Sequence, residues 1–269
     1  MKNIKPITAA FILTATVVAW FSCNKPGNEQ PAGPYKLSYG DSILYMKDQA
    51  GDYIVSPTEH RDGIYSVFPE GLELNDLTGA INVSKSESGL RYRITHKAPD
   101  GKETTAMLVI SGVNFSDRYH QFSQNDSMSF PIYNASVSNP LPVNGSVFDE
   151  GNTANSGGCS IRTDNGKINL AQCVRNGVFG NIPQNNVRKD FDIIYRLNDG
   201  SNKAPNKIRV RLYYYNTMAD VPTDVLEDMQ ARQDEGVFLR NGDLAGANTA
   251  SRLSNVAKPR PPCIIIIAN

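Results

Sequence analysis

Histidine, tryptophan and cysteine are scarce in this chain: three, one and four residues among 269. His60, His96 and His120 show no H-x-x-x-H spacing and have no neighbouring cysteine pair, so a zinc centre is not expected. The chain also lacks a G-x-S-x-G elbow, an H-E-x-x-H helix, a P-loop and a G-x-G-x-x-G turn. That removes the commonest hydrolase, metalloprotease and nucleotide-binding signatures. Asp224, Glu227, Asp228, Asp234 and Glu235 gather on one candidate helix, where a solvated face accounts for them better than a glycosidase pair. The expectation is a protein that is not an enzyme and needs no cofactor and no metal. Charge of one sign is missing as well: 27 basic residues balance 27 acidic ones. Without Lys2 and Lys5 the balance is 25 to 27. No whole-molecule field is available to capture nucleic acid, so nucleic acid is not an expected partner.

Only one long apolar run stands near the start of the chain. Met1-Lys2-Asn3-Ile4-Lys5 is a short basic segment, and Ile7 to Phe21 is a 15-residue stretch rich in Ile, Ala, Val and Phe. A spanning helix needs roughly 20 apolar residues, so the run reads as an export signal over residues 1–22. Ordinary secretory cleavage wants small residues at −1 and −3, and −3 here is Trp20. Trp20-Phe21-Ser22-Cys23 resembles the loose lipobox of bacterial lipoproteins, especially those of the Bacteroidota, although Trp and Phe replace the usual Leu and Ala. The resemblance implies lipidation of Cys23 and a lipid anchor in the cell envelope, with the outer membrane the expected address. Asn24-Lys25-Pro26-Gly27 lacks the acidic run that resembles a surface-export tag, so the leaflet stays open. A plain secretory signal followed by Cys is the alternative. Residues 23–34 then form a Pro- and Gly-rich leash without apolar periodicity.

Beyond Pro34 the pattern is short β-prone runs separated by turns, which predicts a mainly β protein in two domains, 35–115 and 116–269. Leu90, Tyr92 and Ile94 alternate with arginines, and Pro99-Asp100-Gly101 supplies a turn before the strand Thr104 to Val113, expected to be covered on both faces. In the second domain Phe191, Ile193, Tyr195 and Leu197 alternate along one strand, and Ile208, Val210, Leu212 and Tyr214 along the next. A helix is predicted near 222–235, with Val221, Val225, Leu226 and Met229 on one face and Gly236 as its cap. The run Cys263-Ile264-Ile265-Ile266-Ile267 is a strand that must be central or covered, since such an edge would aggregate.

The segment FPEGLELNDLTGAINVSKSESGLRYRITHKAPDG, residues 68–101, is similar to the signature of immunoglobulin-like, cadherin-like repeats of bacterial surface proteins. Pro69, Gly71, Leu72, Leu74, Thr78, Gly79 and Ile81 carry the first part of that pattern, and Gly89, Tyr92 and Ile94 the second with altered spacing. The resemblance implies a β-sandwich and no reaction. Cadherin-type repeats often bind calcium. Asp76, Asp100 and Glu103 lack the family's calcium motifs and read as solvated turn carboxylates.

Two further features bear on function. Arg209, Arg211, Tyr213 and Tyr215 alternate along one sheet face that could stack sugars and offer charged donors; cross-strand pairing of Asp192 with the arginines is the competing reading. The loop Gly151 to Gly158 offers amides to a glycan or serves as a plain connection. Among the three remaining cysteines, Cys159 and Cys173 flank Asp164-Asn165-Gly166. If that turn closes a hairpin, the register keeps the two sulfurs apart, so a disulfide requires a bulge and buried free thiols are favoured. The function expected is a membrane-anchored binding or adhesion module for a glycan or an envelope protein. A structural accessory subunit of an envelope complex is the alternative, and a hydrolase with an unrecognised site the third reading.

Overall fold

Residues 35–234, 236, 238 and 261–269 are described by the structure, a computed structural model. The proposed signal, the leash and Cys23 lie outside these residues.

Seven strands form in the first part: β1 (Ile43–Leu44), β2 (Ile54–Val55), β3 (Ile64–Phe68), β4 (Glu73–Leu74), β5 (Ile81–Asn82), β6 (Arg91–Lys97) and β7 (Glu103–Ile110). One sheet runs β1-β7-β6-β3 and the other β2-β5-β4. The alternation read from the sequence sets the buried face: Tyr92, Ile94, Leu108 and Ile110 are inside, and Ile81, Val83 and Leu72 are buried as well. Met107 on β7 is 47% exposed, so the strand is not covered on both faces as its apolar content suggested. An antiparallel sheet tolerates one wet face. The Pro99–Gly101 turn forms as its chemistry dictates, with Lys102 N–H donating to Asp100 Oδ1 at 3.0 Å. In the turn before β5, the Asn75 side chain accepts the N–H groups of Leu77 and Thr78, and Gly79 sits at φ +71°. A Cβ at Gly79 would lie 2.6 Å from the Tyr65 ring, so both the conformation and the space demand glycine there.

The second part contributes β8 (Val113–Phe115), β9 (Arg118–Gln121), β10 (Met128–Ser129), β11 (Pro131–Tyr133), β12 (Val147–Phe148), a short helix α1 (Thr153–Ser156), β13 (Ile168–Asn169), α2 (Leu170–Arg175), β14 (Val187–Arg196), β15 (Pro205–Tyr215), α3 (Thr223–Asp234) and β16 (Cys263–Ile267). Its main sheet has the order β12-β14-β15-β16-β9, while β11 pairs with β8 and β10 with β13. The described residues are thus mainly β, with several sheets and one long helix among them.

The Cys-Ile₄ strand lies inside this sheet, parallel to β15 on one side and β9 on the other. All five residues are buried. Ile264 and Ile266 enter the core with Phe115, Tyr195 and Leu212; Cys263, Ile265 and Ile267 pack beneath α3 with Tyr213, Tyr215, Val221 and Met229. Both faces are therefore apolar, which is why the sequence shows a continuous apolar run where β14 and β15 alternate. Each buried isoleucine contributes roughly 1.5–3 kcal/mol of burial.

The expected boundary at 115/116 marks a change of sheet. The described residues from Lys36 onward belong to one compact unit, tied across that point by polar contacts. The Tyr195 hydroxyl lies 2.9 Å from Ser88 Oγ and accepts the Val113 N–H at 3.2 Å, while Asp199 Oδ2 accepts from both Ser111 Oγ and Tyr133 Oη. Burial holds the Tyr195 phenol un-ionised, its pKa pushed up to about 12.

Candidate functional site

On the arginine–tyrosine face both arginines are paired to carboxylates and both tyrosines are buried. β14 and β15 pair with Asp190 opposite Arg211 and Asp192 opposite Arg209, so each arginine meets a carboxylate directly across the ladder. Arg211 Nε and Nη2 donate to Asp190 at 2.6 and 2.7 Å, and Arg209 does the same to Asp192 at 2.6 and 3.0 Å. Hydrogen bonding to these guanidinium groups holds both carboxyls below the usual range. The competing reading of that face, cross-strand pairing, is the one the fold adopts, with Asp190 as a second partner. Tyr213 and Tyr215 are 9% and 0% exposed, covered by Val221 and Met229 with Val225 and Leu226 packed alongside. Their rings belong to the apolar cluster beneath α3.

The Gly151–Gly158 segment is likewise committed internally. It forms α1, whose start is clasped by buried Asp149: Oδ1 accepts the Ala154 N–H, and Oδ2 accepts the Asn155 N–H and side-chain amide. Asn155 also bonds both the N–H and the carbonyl of Ile161. Cys159 and Cys173 are free, buried thiols. The turn does close a short hairpin, with Ile161 opposite Ile168, but its pairing ends at Asn169, where α2 begins, so Cys173 takes no place in that ladder. Among the described residues no group of three or more His, Cys, Asp or Glu side chains is placed to hold a metal ion, and Asp100 and Glu103 make ion pairs with Lys102 and Lys97. No helix of the described residues is long and apolar enough to cross a membrane.

Two hollows remain. One, of about 390 Å³, is lined by Glu87, Ser88, Asp192, Lys207, Ile208, Arg209 and Pro261. Burial pushes the Glu87 carboxyl up to about 7, against the opposing pull of Arg232 and a hydrogen bond from Asn114. Its neighbours are engaged with one another: Ser88 with Tyr195, and Asp192 with Arg209 and Lys207.

The other hollow, of about 520 Å³, lies among Phe130, Pro131, Leu141, Val143, Asn144, Asp164, Asn165 and Lys167. Its floor follows from strand register. Ser129 on β10 stands opposite Ile168 on β13, so the next residues outward, Phe130 and Lys167, face each other, and the Lys167 ammonium sits 5.1 Å from the centroid of the Phe130 ring. Pro131 directs the chain from one sheet into another, leaving Phe130 stranded at the corner and 54% exposed. The Asp164-Asn165-Gly166 turn forms one wall. It is seated by Gly166 at φ +69°, where a Cβ would lie 2.7 Å from the Phe148 ring. Arg162 grips both oxygens of Asp164 at 3.0 and 2.7 Å, and Asn165 Oδ1 accepts the Lys167 N–H at 3.1 Å. Leu141, Val143 and Asn144 form the opposite wall, anchored by the Asn198 amide donating to the Asn144 carbonyl at 3.0 Å. The result is an exposed aromatic face with an ammonium, a carboxylate and amides around it. Sequence reading identified the turn but not Phe130. The available signal was an aromatic directly before proline in a polar stretch, Ser129-Phe130-Pro131.

No family model matches the chain, and no curated protein does. Solved structures with slight similarity are cadherin ectodomains. Protocadherin gamma B7 extracellular cadherin domains 1–4 is 9% identical over 66% of this chain and 50% of that one, at a TM-score of 0.21. Drosophila N-cadherin EC1–4 is 10% identical over 67% and 49%, at 0.20. Mouse clustered PcdhgC3 EC1–3 is 11% identical over 66% and 67%, at 0.19. The chain spans about half the length of the first two. At this level the likeness carries no argument about activity, ligand or assembly.

Proposed function

We propose that this chain is an envelope-anchored binding module that takes a saccharide in the hollow around Phe130. The observation that carries the reading is the exposed Phe130 ring beside Lys167, Asp164, Asn165 and Asn144. Sugars present one apolar C–H face and a rim of hydroxyls. An aromatic ring takes the first, and amides, carboxylate and ammonium take the second. The volume falls in the range of small-ligand sites, roughly 300–1,000 Å³. In this reading Cys23 carries the lipid, residues 24–34 hold the domain off the membrane, and the module works without a cofactor and without catalysis. An accessory-subunit role has less support. Among the described residues, large exposed apolar side chains outside the hollow such as Ile54, Leu77, Met107 and Ile182 fall on separate elements. A glycan array probed with the chain, followed by titration of the captured sugar against Phe130→Ala, tests the binding half. Mass spectrometry of the mature N-terminus tests the anchor, and an unmodified Cys23 or cleavage elsewhere removes it.

A further inference from the structure

The pairing of Cys159 with Cys173 hinged on a ladder register, and the fold ends that ladder at Asn169. Asn169 caps a helix, its Oδ1 accepting the Gln172 N–H at 2.9 Å, so Cys173 rises on the first turn of α2 rather than alternating along a strand. That turn carries its sulfur back to the loop that holds the other cysteine: the Ser160 N–H donates to Cys173 Sγ at 3.2 Å. The Ser160 nitrogen is bonded directly to the carbonyl carbon of Cys159, so the Cys173 sulfur lies against the Cys159 backbone itself. The loop is pinned in place by Cys159 N–H to the Ala154 carbonyl at 3.0 Å, and by Asn169 N–H to the Ser160 carbonyl at 2.8 Å. Both cysteines are 0% exposed and share one apolar cluster. Cys263 packs across the sheet, in the cluster beneath α3. The odd thiol of the domain is thereby kept away from the pair. Cys173 pushes the Cys159 thiol up, and Cys159 draws that of Cys173 down.

We infer that Cys159 and Cys173 are an oxidisable pair that closes to an intramolecular disulfide, with Cys173 the attacking sulfur and a low-molecular-weight disulfide such as oxidised glutathione the oxidant. The Cys173 thiolate attacks the oxidant, whose S–S bond breaks, and one thiol leaves after taking up a proton. The Cys159 sulfur, giving up its proton, then displaces the second thiol from the mixed disulfide. Two protein thiols and one external disulfide become one protein disulfide and two external thiols, so electrons and protons balance. The ring closed in this way runs from 159 to 173 and contains Asp164, Asn165 and Lys167, so the bridge ties down one wall of the Phe130 hollow. Because both sulfurs are buried, closure is fast while the chain folds and slow once it has folded.

The test refolds the full chain from denaturant in a mixture of reduced and oxidised glutathione, then alkylates in denaturant and analyses the products by mass spectrometry. The expected product is lighter by about 2 Da before alkylation, two hydrogen atoms. It gives a disulfide-linked Cys159/Cys173 peptide pair, with Cys263 alkylated. Chain refolded in dithiothreitol should show Cys159, Cys173 and Cys263 all alkylated and unfold at lower urea. Cys173→Ser should leave Cys159 alkylated. Full alkylation of both cysteines after oxidative refolding of the unsubstituted chain, or a bridge that uses Cys23 or Cys263 instead, would overturn the inference. Neither reading needs the variant to fold.

Discussion

Oδ1 of Asp117 accepts the backbone N–H of Cys263 at 2.7 Å, joining two residues 146 positions apart at the entry to the buried strand β16. The same oxygen accepts Arg232 Nη1 at 3.1 Å, and the Asp117 carbonyl accepts the Gln233 amide at 2.7 Å. Asp117 is 6% exposed. One carboxylate therefore fixes the start of the central strand and the last turn of α3 together. Asp117→Ala leaves a buried guanidinium and a strand N–H short of an acceptor and is expected to cost about 3–5 kcal/mol. Asp117→Asn, which keeps one acceptor, should cost less. Urea unfolding measures both, and a shift within about 0.5 kcal/mol for Asp117→Ala would mean that the junction does not depend on this group.

The strand it positions is also expected to be indispensable. A chain ending at Pro262 leaves β15 and β9 without their shared partner and removes Ile264 and Ile266 from one apolar cluster and Ile265 and Ile267 from the other. It should fail to unfold cooperatively. Ile265→Ala in the whole chain should cost about 2–5 kcal/mol. Soluble, equally stable truncated protein would contradict the placement of β16.

How far the fold could be read in advance depended on which partner each face needed. Phe191, Ile193 and Tyr195 on β14, with Leu197 just beyond it, and the two-sided burial of β16 follow from period-two alternation and from its absence. α3 was legible from its apolar stripe and from Gly236 beyond its end, at φ +66°. The burial of Tyr213 and Tyr215 is not legible locally, because a strand sequence does not say what later covers it. The evidence stood further along the chain, in the apolar face of α3, which had to lie on something. Leu170–Arg175 turned helical once Asn169 capped it, a local signal masked by the neighbouring turn. The Phe130 hollow depends on the pairing of β10 with β13, a contact between distant segments that no local pattern announces.

Glu87 gives the molecule a pH-dependent weakness. Its folded pKa of about 7 lies above the ordinary carboxyl value because burial disfavours the charged form. The folded state therefore holds this proton more tightly than the unfolded state does. Stability is highest below the unfolded pKa and falls as pH rises from about 4.5 through 7. Glu87→Gln should remove that slope and stabilise the protein at pH 8 by about 2 kcal/mol, less than the full shift implies because the side chain is partly exposed. Urea midpoints at pH 5 and pH 8 decide it. A variant whose pH dependence matches the parent would place the titrating group elsewhere.

The arginine ladder should matter little and the tyrosines beneath α3 a great deal. Arg209→Ala removes a surface pair worth at most about 1 kcal/mol. Tyr215→Ala empties a fully buried site and should cost about 3–5 kcal/mol. Comparable losses for the two would mean that the face is not divided between a solvated ladder and a covered core.

The most direct measurement is calorimetric titration of the saccharide captured on a glycan array, against the chain and against Phe130→Ala. Asp164 and Lys167 can be probed in the same way, and urea unfolding confirms that each variant is folded. Loss of the stacking ring should weaken binding at least tenfold, about 1.4 kcal/mol, with stability changed by less than about 1 kcal/mol since Phe130 is exposed. Unchanged affinity in a folded Phe130→Ala protein, or an array that captures nothing, would contradict the assignment of this hollow as the binding site.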